Sequence, residues 1–346
     1  MGKITLGEVA IESKGTWKSD KVGVPIVGLE HLEPGEITLS NWEIDSENTF
    51  TKKFLKGQVL LGRRRVYLRK AVMAPVDGIC SGDITVIEAI PGKILPELLP
   101  FVIQNDKFFD YAVQGSAGSL SPRVKWEHLK KYSFELPSID EQKVLANKLW
   151  GAYRLKESYK KLLSATDEMV KSQFIEMFKD SPKSAISDFC KVEKGTTITR
   201  NEVIEGNIPV VAGGQEPSCY HNVANRKAGV ITISASGAYS GFVNYWTTQI
   251  FASDCNTIIP IDEKNTNVHF LYHGLKAIQK EIYSLQKGGA QPHVYGKDIE
   301  KFLFPYPTKE EQDKFADIAQ QADKSKFELR KSIEAIDAVI KSLISG

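Results

Sequence analysis

The sequence is poor in the side chains that most chemistry uses. Its 346 residues hold 4 cysteines and 6 histidines. The cysteines stand apart at Cys80, Cys190, Cys219 and Cys255, with no C-x-x-C pair. That excludes a zinc ribbon and a thioredoxin-type site, and the four read as reduced, mostly buried thiols. No G-x-x-x-x-G-K-[ST] loop is present to cradle a nucleotide, and no G-x-S-x-G elbow to expose a serine nucleophile. The Asn-Pro-Pro-aromatic motif of amino-methyltransferases is missing, as is a glycine-rich strand-turn of the AdoMet type. Asp83 lacks the downstream acid-x-Lys pair of a common nuclease core. His269 and His273 stand four apart with no acid in a zincin position between them, so a structural role is expected for both. No apolar run approaches the ~20 residues of a membrane helix, and Met1-Gly2-Lys3-Ile4-Thr5 shows no signal-peptide pattern. The expectation is a cytoplasmic chain with no catalytic residue, metal or cofactor of its own. Net charge is only +2, so any nucleic-acid surface must gather its positive charge on one face.

What the sequence does contain is a repeat of long period, the feature that decides architecture when present. Asp140-Glu141-Gln142 and Glu310-Glu311-Gln312 each follow a proline, Pro137 and Pro307, by three residues. The two copies lie 170 residues apart. The register holds without a gap from Pro122 and Pro292 onward, pairing Val124 with Val294, Leu129 with Ile299, Phe134 with Phe304 and Ala146 with Ala316. Each copy then runs for about ten helical turns without a proline, a rod of roughly 58 Å at ~1.5 Å per residue. Leu329, Ile333, Ile336, Ile340 and Leu343 recur at steps of four and three, the seam of a coiled-coil helix. Tyr159, Leu163, Thr166 and Val170 occupy the matching places in the first copy. Two rods with matching seams are expected to pack antiparallel as a spacer.

Ahead of each rod, short apolar runs alternate with turn residues, a strand pattern. Val24–Gly28, Val59–Gly62 and Ile84–Ile87 are expected strands, with a helix over Leu95–Gln114 and a Gly/Ser loop over Gly115–Ser121. A short helix over Trp126–Tyr132 and a strand over Phe134–Pro137 follow. The second half repeats the plan: Pro209-Val210-Val211 answers Pro25-Ile26-Val27, Val230–Ile233 answers Val59–Leu61, Asp254 answers Asp83, and Asn267–Gln286 answers Leu95–Gln114. The interval from Pro25 to Asp83 is 58 residues and that from Pro209 to Asp254 is 45, so the frames agree while the loops differ. Ser181-Pro182-Lys183-Ser184 breaks the first rod. The expected organisation is an α+β chain: two mixed α/β domains, 1–137 and 181–307, each followed by a long helix, 138–180 and 308–346.

Arg63, Arg64, Arg65, Arg69 and Lys70 put five cations into eight positions with no acid among them and Tyr67 between. On a strand-turn-strand element they would offer forks to phosphates and guanine edges. An ordinary solvated hairpin would also suit the run. The second domain has Ser234-Ala235-Ser236-Gly237-Ala238-Tyr239-Ser240-Gly241 at the corresponding place, with Asn244 beyond. Small residues let backbone approach a ligand closely. The Gly-rich loops add Ser119, Ser121 and Arg123 in the first domain, and Gln291 and His293 in the second.

The order domain, long helix, domain, long helix resembles the specificity subunit of type I restriction–modification systems over nearly the whole chain. Gly62–Lys70 followed by Asp77-Gly78-Ile79-Cys80-Ser81 is similar to a stretch common in that family. So is Gly288-Gly289-Ala290-Gln291-Pro292-His293-Val294, followed by Phe304-Pro305-Tyr306-Pro307 and Glu311-Gln312. The first domain departs from this ending, since Gly118-Ser119-Leu120-Ser121-Pro122-Arg123 has no glutamine. The resemblance implies that each domain reads half of a bipartite double-stranded DNA target. It implies that the helices set the gap and bind two modification (methyltransferase) subunits, with Leu163, Val170, Ile333, Ile336 and Ile340 as contacts. AdoMet, ATP and Mg would sit on the modification and restriction subunits. A related system with a fused nuclease–methyltransferase partner, a pseudo-symmetric protein-binding scaffold and a lone methyltransferase are the other readings.

Overall fold

The computed structural model describes residues 2–345, the side chain of Ser345 excepted. The chain forms two compact units, one running to Tyr159 and resuming at Ser332, the other covering Lys160–Lys331. Each contains α and β structure and a stretch of both long helices.

In the first unit a four-stranded antiparallel sheet has the order Ala10–Glu12, Ile84–Ala89, Val59–Gly62, Ala71–Met73. Val59 to Gly62 are buried throughout, which explains their unbroken apolar run: both faces of this central strand are covered. A second sheet sets Ile26–Val27 parallel to Gly78–Cys80, with Lys52–Phe54 antiparallel on the far side. Gly2–Thr5 pairs with Ser133–Leu136.

The second unit repeats the larger sheet in the same order, Cys190–Lys194, Cys255–Pro260, Val230–Ser234, Val243–Trp246. Its smaller sheet keeps the parallel pair, Ile208–Val211 beside Phe251–Ala252, but adds the third strand, Cys219–His221, to the opposite edge. Lys183–Ala185 pairs with Leu303–Pro305. The shared frame and the divergent attachments are what the unequal spacings of the two halves require.

The long helices span Ile139–Phe178 and Lys309–Ser345. The repeated Pro-x-x-acid-Glu-Gln motif has a local cause at each start. Ser138 and Thr308 are the N-caps. Each accepts from the glutamate backbone N–H three residues on, at 3.5 and 3.4 Å, and the Glu141 and Glu311 carboxylates accept the cap backbone N–H at 2.9 and 3.0 Å. This capping box satisfies two orphan donors at once. Gln142 and Gln312 are buried and tie each helix down: the amide donates to Pro137 O and Pro307 O at 2.9 and 3.0 Å, and accepts from Leu95 N and Asn267 N at 2.9 Å each.

The two long helices run antiparallel within each unit. In the first, Leu145 and Leu149 share a cavity wall with Leu343 and Ile344, while Lys156 reaches Asp337 at 2.6 Å. In the second, Asp167 meets Lys326 at 2.7 Å, and Phe174 and Phe178 meet Phe315 with ring centres 5.3 and 5.7 Å apart.

The two expected 20-residue helices are each divided. The first becomes Leu99–Ile103 and Asp106–Gln114, the second Val268–Ala277 and Gln279–Tyr283. Asn105 caps its second piece, accepting from Lys107 N at 2.8 Å. Asn267 caps Val268–Ala277 from the start, accepting from His269 N and Phe270 N. At Asn105 a side chain that competes with the backbone in this way ends one helix and begins another, whereas the second helix divides at Ile278, with no side-chain cap.

Candidate nucleic-acid interface

In both units the central strand of the larger sheet runs on into a short segment held between two others. In the first, Arg63 N–H donates to Asp83 O at 2.9 Å, Val124 N–H donates to Arg63 O at 3.0 Å, and Arg65 N–H donates to Pro122 O at 2.7 Å. In the second, Ala235 N–H donates to Asp254 O at 3.1 Å, Val294 N–H to Ala235 O at 2.9 Å, and Gly237 N–H to Pro292 O at 3.1 Å. Each Gly-rich loop is closed at its base by a bridge, Ala117 to Arg123 and Lys287 to His293. Gly118 and Gly288 turn these loops with φ of 118° and 99°, a region glycine occupies without steric cost. The backbone frames therefore match position for position: Arg64 with Ser236, Asp83 with Asp254, and Arg123 with His293.

The side chains on that frame differ. In the first unit Asp83 holds Arg123 through Oδ1 to Nε at 2.7 Å and Oδ2 to Nη2 at 3.1 Å. Arg64 Nη1 lies 3.7 Å from the same carboxylate, and its Nη2 donates to Ser121 Oγ at 3.1 Å. The Arg123 bond above all, opposed by partial burial, and the nearby Arg64 and Arg63 charges hold the Asp83 carboxyl below the usual carboxylate range.

The rest of the basic run is divided by a 3-10 turn, Val66–Leu68, between two arginines in left-handed backbone, Arg65 at φ 52° and Arg69 at φ 53°. Buried Val66 anchors the turn and leaves Tyr67 and Leu68 exposed. Such backbone costs an arginine on the order of 1–3 kcal/mol and persists only where the surroundings enforce it. Arg69 forks onto Asp106 and Asp110 at 2.5 and 2.8 Å. Lys70 donates to Leu29 O at 2.8 Å. Arg65 is exposed. The run is thus no uniform cationic strip: Arg64 and Arg65 lie by the Gly-rich loop and Arg69 is neutralised against the helix Asp106–Gln114. Ser119 is exposed on the loop, beside Leu120, which the sequence reading passed over and which is 88% exposed.

In the second unit Asp254 Oδ2 accepts the Ser236 hydroxyl. Ser234 is buried and donates to Gly214 O at 3.3 Å, and Asn244 Nδ2 donates to Gln215 O at 3.4 Å. Tyr239 and Gln291 are exposed, and His293 is half-buried with its ring near-parallel to Tyr295, centres 6.0 Å apart. The loop Gly213-Gly214-Gln215 joins this neighbourhood and was also missed. A Cβ at Gly213 would stand 2.4 Å from Ser236 O, so the Gly-Gly pair after an expected strand was the available signal. In the sequence Asp83 and Asp254 stand out as landmarks of the repeat, and Asp83 also as an acid without the downstream acid-x-Lys pair of a nuclease core.

The seam residues turn inward. Val170 and Ile340 are buried in the cores of their units, and Ile336 packs against the same core as Ile340. Leu163 and Ile333 are half-buried. Val170 and Ile340 are thus covered by the chain's own packing, while Leu163 and Ile333 keep part of their surface open. The exposed apolar residues of the first long helix are Val144 and Leu155 in the first unit, and Leu162, Met169 and Ile175 in the second.

The two histidines on Val268–Ala277 are packed rather than paired on a metal. His273 is buried with Nε2 3.1 Å from Asp323 Oδ2, and His269 meets the Tyr245 ring edge-on at 5.2 Å. Among the described residues no group of three or more His, Cys, Asp or Glu could hold a metal ion, and no helix is long and apolar enough to cross a membrane.

Two α/β units that present matching loop cassettes, with different side chains on each, define a recognition protein built from a duplicated domain. Residues 179–337 match the family described as type I restriction modification DNA specificity domain. Over 298 residues the chain is 24% identical to the type I restriction enzyme MjaIX specificity subunit of Methanocaldococcus jannaschii, covering 73% of this chain and 69% of that one. The crystal structure of the type I restriction–modification system S subunit from M. genitalium has a similar fold, with a TM-score of 0.61 at 17% identity over 99% of this chain and 95% of that one. A chain solved in work on complex assembly and conformational transition of the type I system gives 0.59 at 16% identity, over 99% and 96%. The matched segment belongs to that family, the whole chain shares the fold of type I specificity subunits, and the resemblance read from the sequence is borne out.

Proposed function

We propose that this chain is the DNA-sequence-specificity subunit of a type I restriction–modification complex, each recognition domain reading one half of a bipartite double-stranded target. The duplicated cassette carries the reading: one backbone frame displays Arg64 and Arg123 in one domain and Ser236 and His293 in the other. A frame repeated with different side chains suits two different half-sites. The recognition domains are 1–137 and 181–307, and the long helices between them set the unread gap.

The chain itself is the non-catalytic member. Two modification subunits would bring AdoMet and the methyl-transfer site, and restriction subunits would bring ATP, Mg and cleavage, all in the cytoplasm. Since Val170 and Ile340 face inward, docking falls to the exposed positions of the helices, among them Leu155 in the first unit and, seven residues apart, Leu162 and Met169 in the second. The same surface would serve a fused nuclease–methyltransferase partner.

The test is co-expression with the modification subunit in a host that lacks other methylation, followed by methylome sequencing. A two-part motif with a fixed unread gap is expected. Methylation without such a motif, or none at all from an assembled complex, would overturn the reading.

A further inference from the structure

We infer that Asp83 and Asp254 are positioning residues for specificity, each setting the hydrogen-bonding sense that its domain offers to a base: Asp83 aims the donor fork of Arg123 at a guanine, and Asp254 leaves Ser236 as an acceptor for a base bearing an exocyclic amino group. The inference deepens the proposed function and rests on it.

The argument begins with the guanidinium. Its five N–H groups form two forks, one along Nε and Nη2 and one across the two Nη atoms. Asp83 occupies the first fork, with Nε at 2.7 Å and Nη2 at 3.1 Å. The end-on fork across Nη1 and Nη2 is left pointing away from the carboxylate, and that is the fork that fits guanine O6 and N7. Lysine cannot be held and aimed in this way. The Arg123 side chain is 44% exposed and its Asp83 partner 21%, so the charge sits at the surface with its orientation fixed from behind. Arg64 approaches the same carboxylate and is steadied by Ser121, so a second guanidinium shares the support.

In the other domain the matching carboxylate meets a hydroxyl. Asp254 accepts the single Ser236 hydrogen. The oxygen then has lone pairs to offer and no proton, so the group it suits is the amino group of cytosine or adenine. The matching carboxylates thus support opposite hydrogen-bonding senses on one backbone frame, through Arg123 in the first domain and through Ser236, the counterpart of Arg64, in the second.

A purely structural ion pair is the competing account. Ion pairs near the surface contribute little to stability, and the segments here are already held by backbone bonds from Arg63, Arg65 and Val124. Neutralising Asp83 should therefore leave folding and assembly nearly unchanged while altering the motif.

The experiment is methylome sequencing of cells expressing the complete modification complex with wild-type chain, Asp83→Asn, Asp83→Glu, Asp254→Asn and Arg123→Lys. With Asp83→Asn, one guanine in one half-site should relax, losing roughly tenfold of its preference, the range a single bidentate contact supplies. Arg123→Lys, which keeps the charge and loses the fork, should relax the same position. Asp254→Asn should relax one amino-bearing base in the other half-site alone. Asp83→Glu should restore the guanine in part. An unchanged motif in Arg123→Lys overturns the inference even if Asp83→Asn fails to assemble. Weaker methylation at an unaltered motif in Asp83→Asn assigns it a structural role and does the same. A wild-type complex with no bipartite motif would instead overturn the proposed function itself.

Discussion

A Cβ on Gly274 would stand 2.5 Å from a ring carbon of Phe174. Phe174 comes from the first long helix and Gly274 from the middle of Val268–Ala277, and the absent side chain is what lets the two meet. The ring is hemmed in on its other sides by Phe270, Phe304 and Phe315, with centres 5.9, 5.8 and 5.3 Å away. Alanine is the better helix former by about 1 kcal/mol. Overpacking a filled core costs typically 1–3 kcal/mol, and the same Cβ would stand 2.6 Å from Phe304, so two rings of the cluster would have to shift. Gly274→Ala should lower stability by about 1–2 kcal/mol in urea titration of the chain. A gain in midpoint would show that the rings rearrange freely.

Burial tends to raise the Asp323 carboxyl, but the close approach of His273 and the Lys326 ammonium outweighs it and leaves the group at about 2. Lys326 is shared with Asp167, at 2.9 and 2.7 Å. A carboxyl lower in the folded state than in the unfolded chain contributes stability above its unfolded value and loses it as the pH falls through its folded value. The window is therefore from about pH 4 down to about pH 2. Because Asp323 is nearly half-exposed, its contribution is discounted to about 1 kcal/mol. Asp323→Asn should be less stable than wild type by that amount at neutral pH, with the two curves converging near pH 2. Parallel curves across the acid range would assign the stabilisation elsewhere.

What the sequence conveyed well was local. The Pro-cap-Glu-Gln motif was legible because each of its residues acts within five positions of the next. The steps of four and three along Leu329–Leu343 were legible because helix period and burial are one signal. Which side of the rods faces the chain itself, burying Val170 and Ile340 and leaving Leu162 and Met169 outside, depends on packing that no single helix encodes. The helix break at Asn105 was hidden because an asparagine reads alike as cap, turn or surface residue, and the one at Ile278 falls on an apolar residue that signals no end. The basic run was visible as charge, but the acids that neutralise Arg69 come from about 40 positions away, and spacing alone does not bring them together. Asp83 was noticed for its place in the repeat, and its grip on Arg123 becomes apparent only once the loop folds back.

Exchange of one recognition domain tests how separately the two act. Residues 1–137 end at Pro137, immediately before the capping box of the first long helix. A chimera joined there should retain Ser138, Glu141 and Gln142, and the incoming domain must supply the backbone N–H that Leu95 gives to Gln142. Methylome sequencing should show a new base sequence in one half-site, with the other half and the gap unchanged. A chimera that altered both halves, or neither, would contradict separate readout.

Arg65 and Arg69 differ by four positions and should behave differently on DNA. Arg69 is spoken for by Asp106 and Asp110, so it adds little net charge at a DNA surface. Arg65 is exposed next to the Gly-rich loop, with its backbone N–H fixed on Pro122 O. A phosphate contact releases counterions, so removing one lowers the slope of log affinity against log salt by about one and weakens all sequences alike. In the assembled complex, Arg65→Ala should reduce the slope by about one and leave the motif unchanged. Arg69→Ala should leave the slope nearly as it was and loosen the turn Val66–Leu68 from its helix. The measurement is equilibrium DNA binding across a salt series with target and scrambled duplexes. A slope that falls for Arg69→Ala and holds for Arg65→Ala would reverse the assignment of the two arginines.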